Sequence, residues 1–316
     1  MSQRKKIALI GGDGIGPEVT REARELLVLY RDAAGLPLDL WDLDLGADRY
    51  LRDKTTFPAE IAVAIQRECA AVLLGALGDP RVPGLEHARD ILFGIRFGYD
   101  LYANIRPVRA LADRLVPLKG RGAKDVDLVV FRENTEGSYV GIGGQFKRGT
   151  PDEVAINEDV NTRKGVERII RAAFEHARAH GKRRVHMADK SNAMRHAHEL
   201  WLRVFDSVGR EYADIERAHV YVDALCLYLV QDPSQFEVVV TNNLFGDIVT
   251  DLGAALLTVG MMLAHLGWPD EERRIERAVS LALDEGKCTR DVGGTLGTRE
   301  AAAWVRDVVA RELRAG

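Results

Sequence analysis

Thr241-Asn-Asn-Leu-Phe-Gly-Asp247-Ile-Val-Thr-Asp251 follows the apolar run Phe236 to Val240 and ends in two carboxylates spaced i, i+4. The β-branched run predicts a buried strand, so the acidic pair falls on the first turn of a following helix with both side chains pointing one way. Two hard oxygen donors at the carboxyl end of a strand suit a divalent cation that keeps open positions for substrate. An acidic helix start that only complements the helix dipole is the alternative reading.

Working outward, the same strand-then-helix grammar recurs. Lys6 to Ile10 reads as a buried strand, Gly11 to Gly16 as a glycine turn, and Pro17 to Tyr30 as a helix with proline in its first turn. A helix over Pro58 to Glu68 precedes a second buried strand, Ala70 to Gly75. Strands are expected at Val126 to Phe131, Arg184 to Ala188, Ala218 to Val222 and Phe236 to Val240, with helices near Thr162 to His180, Ala193 to Ser207 and Arg273 to Glu285. This alternation predicts an α/β protein with a parallel sheet. Gly141 to Asp159 has no helical pattern and reads as an extended arm used between subunits.

Composition removes several function classes. With 44 basic against 48 acidic residues, a net charge of -4 gives no field to attract nucleic acid or an anionic membrane, so an anionic ligand must be caught by local arginines. The apolar run behind the basic start, Ile7 to Ile10, is too short for a signal or a membrane span. Cys69, Cys226 and Cys288 are odd in number and widely spaced, which fits reduced thiols and a cytoplasmic protein. At 316 residues, two lobes are expected rather than one.

Gly12-Asp-Gly14-Ile-Gly16-Pro-Glu18 invites a dinucleotide-binding reading, but the Rossmann fingerprint is G-x-G-x-x-G, and here the glycines run G-x-G-x-G into proline. A tight strand-to-helix turn accounts for it equally well. Arg96 and Arg106 flank Phe97 to Ile105, and Arg132 opens Arg132-Glu-Asn-Thr-Glu-Gly-Ser-Tyr139 directly after a strand. Their planar forks suit carboxylate recognition, although Arg96 alone reads as a surface residue. Tyr139 and Lys190 could form a proton-transfer pair. Asp223, after another strand, is a third metal carboxylate or a helix N-cap.

Together, Gly12 to Glu18, Ala103 to Pro107, Arg132 to Gly137, Asp189 to Asn192, Val222 to Ala224, Asn243 to Ile248 and Asp291 to Thr295 resemble, in order, the motifs of the isocitrate/isopropylmalate dehydrogenase family. The resemblance implies a two-lobed α/β/α sandwich and not a Rossmann fold. It implies a large lobe from residues 1–101 and 258–316, and a small lobe from 102–257 whose arm, about 140–160, builds a homodimer. It further implies Arg96, Arg106 and Arg132 on the substrate carboxylates, and Mg²⁺ or Mn²⁺ on Asp247 and Asp251 with Asp223 of the partner subunit. Lys190, also expected from the partner, takes the hydroxyl proton as hydride leaves to NAD, and Tyr139 later protonates the enolate. Gly12, Gly14, Gly16 and Glu18 are the residues implied for the cofactor.

The stretch from Arg81 to Gly94 faces, by resemblance, the group that distinguishes the family's substrates. Ile91, Leu92 and Phe93 offer an apolar wall that favours an alkyl substituent, which ranks 3-isopropylmalate first, as in leucine biosynthesis, then D-malate or tartrate, then isocitrate or homoisocitrate. Arg89 and Asp90 in the same stretch cut against the wall. Between Asp251 and Trp268 the chain fuses two family segments and lacks the His-Gly-Ser-Ala-Pro-Asp-Ile loop and the later Asn-Pro that enclose the adenosine half of the cofactor. Two further readings therefore stand beside an NAD-linked dehydrogenase: a redox-less, metal-dependent 2-keto acid decarboxylase, or a non-catalytic partner subunit.

Overall fold

The computed structural model describes residues 4–250 and 261–315. The chain divides into two compact units, one from Met1–Tyr99 with Ala254–Gly316 and the other from Asp100–Gly253.

In the first unit, β1 (Lys5–Ile10) is the middle of a parallel three-stranded sheet, flanked by β2 (Leu38–Leu43) and β3 (Cys69–Leu74). The glycine turn leads into α1 (Gly16–Ala33), which starts with proline where a missing N–H costs nothing and turns Ala23, Leu26, Leu27 and Tyr30 inward. That stripe joins Ile275, Ala278 and Ala282 of α9 (Pro269–Asp284) and Val305, Val308 and Val309 of α10 (Thr298–Ala315) in one core. The short helix α2 (Ala47–Asp53), then α3 (Ala59–Glu68) and α4 (Glu86–Gly98), complete the unit.

The second unit carries a five-stranded sheet in the order β4 (Ala103–Arg109), β5 (Asp127–Glu133), β10 (Val238–Thr241), β8 (Arg184–Asp189) and β9 (Glu216–Tyr221). Four strands are parallel, and β4 runs antiparallel on the edge. The helix α5 (Arg163–Ala179) is capped by Thr162, whose side chain accepts from the Gly165 N–H. With α6 (Arg195–Gly209) it buries Ile169, Ile170, Phe174, Trp201 and Val204 against one sheet face. Phe174 is wholly enclosed, and truncating such a ring to alanine costs about 3–5 kcal/mol. The opposite face packs Leu225 of α7 (Val222–Gln231) over Val130, Ala188 and Val239. The expected extended arm is an antiparallel hairpin of β6 (Gly143–Phe146) and β7 (Val154–Asn157), exposed along both strands.

One expectation differs from the structure. The helix after β10, α8 (Asn243–Ile248), begins one residue after its cap, Asn242, whose Oδ1 accepts the Phe245 N–H. Asp247 therefore lies on the second turn and not the first, because Asn242, not the acid, caps the helix. Asp251 and the first part of the fused stretch, residues 252–260, lie outside the described residues.

Candidate active site

Parallel strands place their carboxyl ends on one edge of a sheet, and ligand-binding residues gather there. In the second unit Arg132 is the penultimate residue of β5, Lys190 follows β8, Asp223 follows β9, and α8 carries Asp247 just beyond β10.

Asp247 is the hub. Arg132 Nη1 donates to its Oδ1, Arg106 Nη2 stands 3.6 Å from the same oxygen, and the Tyr139 hydroxyl donates to Oδ2 at 2.8 Å. Partial burial pushes the Asp247 carboxyl up, but the Tyr139 hydrogen bond and the two guanidinium charges outweigh it, and the group is held below the usual carboxylate range. It is ionised at neutral pH, with 37% of its side chain exposed. Such a carboxylate is a hard oxygen donor fit for Mg²⁺ or Mn²⁺.

Arg132 is almost wholly buried, and its Nε and Nη2 both donate to Asn243 Oδ1, at 2.9 and 2.7 Å. Burial draws its guanidinium below its ordinary pKa against the pull of Asp247. It fits there only because residue 246 is glycine: a Cβ would stand 2.5 Å from Arg132 Cγ. Asn243 Nδ2 in turn donates to the Glu136 carbonyl, 3.0 Å away, which ties α8 to the turn that presents Tyr139. That turn reverses at Gly137, with φ of 80°. Arg106 lies on β4 and spans to Thr250, donating from Nη1 to Oγ1 at 2.7 Å. Asn243, Gly246 and Thr250 were not singled out by the sequence reading; Asn243 and Gly246 lie in a motif quoted there only as a block.

A second cluster holds Lys190 and Asp223. Lys190 Nζ donates to Asp223 Oδ1 at 2.7 Å, and that bond is the first cause holding the Asp223 carboxyl below its ordinary range. Asp223 sits in the first turn of α7 behind the cap residue Tyr221, so its side chain does not act as the N-cap. Among the described residues of one chain, no three His, Cys, Asp or Glu side chains come together around a cation position.

In the first unit, Arg96 lies on α4 with its guanidinium 5.6 Å from the Phe93 ring centroid. Ile91 does not join the apolar wall. Ile91 is fully buried with Ile10, Leu45 and Ile95, because 91 and 95 share the core face of α4. Leu92 and Phe93 are half-buried. Phe93 lines a cleft of about 540 Å³ together with Phe57, Glu86, Arg89 and Asp90, so the surface beside it is charged as well as apolar.

The glycine turn divides in the same way. A Cβ on Gly12 or Gly16 would strike the main chain of Ala76, at 2.0 and 2.9 Å, so both glycines serve the packing of the turn on the strand beside it. Gly14, at φ of 56°, faces open space beside the exposed Ile15. Glu18 lies in the first turn of α1. Asp13 between the glycines is buried and accepts from Ala47 N at 2.6 Å and Gly78 N at 2.8 Å, with His87 Nε2 at 2.8 Å.

No helix among the described residues is long and apolar enough to cross a membrane. The family model for isocitrate/isopropylmalate dehydrogenase matches residues 6–258. A 3-isopropylmalate dehydrogenase of Thermobifida fusca is 37% identical over 346 residues, covering 94% of this chain and 98% of that protein. Another, from Beutenbergia cavernae, is 43% identical over 267 residues, 84% of this chain and 76% of its own. The crystal structure of isocitrate dehydrogenase from Methylococcus capsulatus superposes with a TM-score of 0.86 at 30% identity, covering 97% of this chain and 99% of that one. The 346-residue alignment is longer than this 316-residue chain, so the Thermobifida protein carries residues with no counterpart here. Matched over most of its length in sequence and in fold, the chain belongs to the isocitrate/isopropylmalate dehydrogenase family of oxidatively decarboxylating dehydrogenases.

Proposed function

We propose that the protein catalyses the metal-dependent, NAD-linked oxidative decarboxylation of a malate-type 2-hydroxy acid, with 3-isopropylmalate as first substrate and D-malate or tartrate next. The observation that carries this reading is the convergence of Arg106, Arg132 and Tyr139, from three separate segments, on the one carboxylate of Asp247. The similarity to 3-isopropylmalate dehydrogenases favours isopropylmalate within the class.

In this reading Arg106 and Arg132 hold the substrate carboxylates by charge-assisted hydrogen bonds. Arg96 joins them by resemblance, and Leu92 and Phe93 meet the 3-substituent. Asp247, with Asp251 and with Asp223 of the partner subunit, would hold Mg²⁺ or Mn²⁺. Bound there, the cation supplies Lewis-acid polarisation of the 2-oxygen, and a nicotinamide dinucleotide at the Gly12–Gly16 turn and Glu18 supplies the hydride acceptor. Lys190 of the partner subunit takes the hydroxyl proton as the C2 hydride departs. The C3–carboxyl bond then breaks, CO₂ leaves with its electrons retained on the substrate, and Tyr139 Oη delivers a proton to C3. Before substrate enters, the bond to Asp247 holds Tyr139 in its place. The division into a large and a small lobe, the arm near 140–160 as a dimer contact, and a cytoplasmic location belong to the same reading.

The family motifs absent between Asp251 and Trp268 favour a second reading, in which metal and carboxylate chemistry persists without redox and a 2-keto acid is decarboxylated. The deciding experiment follows NADH formation and CO₂ release with Mn²⁺ and each of 3-isopropylmalate, D-malate, tartrate and isocitrate. Mn²⁺-dependent NADH formation, fastest with 3-isopropylmalate, is expected. Absence of NADH with all four acids, alongside metal-dependent CO₂ release from an oxaloacetate-like acid, would overturn the dehydrogenase in favour of the decarboxylase.

A further inference from the structure

His198 is fully buried on α6 and takes no part in the chemistry above, yet its ring lies where three site segments meet. The Lys190 main-chain N–H donates to His198 Nδ1 at 2.9 Å. A main-chain N–H can only donate, so Nδ1 is the bare nitrogen and Nε2 carries the proton. Facing Nε2 at 3.7 Å is Asp159 Oδ2, near the foot of the β6–β7 arm. Burial pushes the Asp159 carboxyl up, but His198 and Asn161 hold it below its ordinary range, so it is an ionised acceptor. Asn242 Nδ2 is 3.4 Å from the same nitrogen, but its amide oxygen caps α8, so a donor faces a donor there and the contact is packing. The ring also packs at 5.5 Å centroid distance on Phe245, two residues before Asp247.

We propose that His198 is a positioning residue for Lys190: its neutral ring fixes the main chain from which Nζ reaches out, and registers that turn against the helix carrying Asp247. The Lys190 carbonyl is already held by the Ala193 and Met194 N–H groups, so His198 supplies the remaining main-chain constraint. A long, flexible side chain delivers its amine reproducibly only when its root is fixed. The inference rests on the reading of Lys190 as the proton-transfer group.

The test compares His198→Ala with His198→Asn, whose Oδ1 can stand where Nδ1 stood while nothing replaces Nε2. Both variants lose ring packing, so their thermal stabilities fall together. Amide hydrogen exchange at Lys190 is expected to remain slow in the wild type and the Asn variant and to become fast in the Ala variant. On the activity side, kcat is expected to fall about 10- to 100-fold in the Ala variant with KM within about twofold, and to recover largely in the Asn variant. Equal Lys190 protection in all three proteins, or equal kcat loss in both variants, overturns the proposal. The exchange pattern needs no turnover, so a protein with no dehydrogenase activity would refute the function proposed for Lys190 while the exchange data still decide the role of His198.

Discussion

Replacing Gly246 by alanine tests whether Arg132 is held as the structure shows. In an ordinary helix interior the exchange stabilises by about 1 kcal/mol, because glycine carries excess freedom in the unfolded chain. At position 246 the sign should reverse. The new Cβ would stand 2.5, 2.6 and 2.9 Å from Arg132 Cγ, Cβ and Cδ, all inside the 3.0 Å that real Cβ contacts respect. Arg132 must retreat by roughly half an ångström, yet it is buried, bonded twice to Asn243 and once to Asp247. Overpacking of this kind costs about 1–3 kcal/mol, which leaves a net loss of about 0–2 kcal/mol after the helix gain. The functional effect is sharper, since displacing one prong of a carboxylate clamp should lower kcat/KM by about tenfold or more. Urea unfolding and steady-state kinetics measure both, with Gly98→Ala as the control, because nothing lies within 4 Å of a Cβ there. A Gly246→Ala protein more stable than wild type with unchanged kcat/KM would refute the account of a pinned Arg132.

Three further outcomes are expected. Burial lowers the His186 pKa from 6.5 to about 4, so below pH 6.5 the unfolded chain takes up a proton that the folded one refuses. Stability is then full above pH 6.5 and falls by on the order of 3 kcal/mol as pH drops toward 4; His186→Leu should flatten the denaturant midpoint against pH, and an unchanged acid slope would exclude His186 as its source. His176, lowered in the same direction, leaves a residual slope in that variant. Lys190→Met should abolish turnover while leaving Tm nearly unchanged, because the lysine pairs with a carboxylate that is two-thirds exposed; a large Tm loss would show a structural role instead. Mn²⁺ at a hundredfold excess over its Kd should stabilise the wild type by about 2.7 kcal/mol and leave Asp247→Asn unaffected. The same calorimetric shift in both proteins would remove Asp247 from the metal site.

Much of the fold was readable because its elements obey one period each. The apolar runs of β1, β5, β8 and β10 are buried on both faces and announce themselves, and α1 and α5 carry clean helical stripes. The omissions have physical reasons. The strand β2 reads Leu-Asp-Leu-Trp-Asp-Leu, an edge strand whose acids break the apolar run, and β4 contains Pro107, which only an edge strand tolerates. Ile91, Leu92 and Phe93 are adjacent in sequence, but on α4 Ile91 turns into the core while Phe93 lines the cleft.

The site was less readable than the fold, because its decisive contacts are long-range. Tyr139 and Arg132 stand 108 and 115 positions from Asp247, and no local pattern joins them; only the ordered resemblance did. What the resemblance did not supply was the reason for the residues between the named ones. In Asn243-Leu-Phe-Gly-Asp-Ile248 the asparagine accepts two bonds from Arg132, the glycine makes room for its stem, and the aspartate receives its third bond. One turn of helix thus fixes a buried guanidinium at three points, and the side chain read as a substrate anchor is held by the same turn that offers the metal its carboxylate. Anchor and carboxylate therefore move together, so a change anywhere in that turn should disturb substrate and metal binding at once.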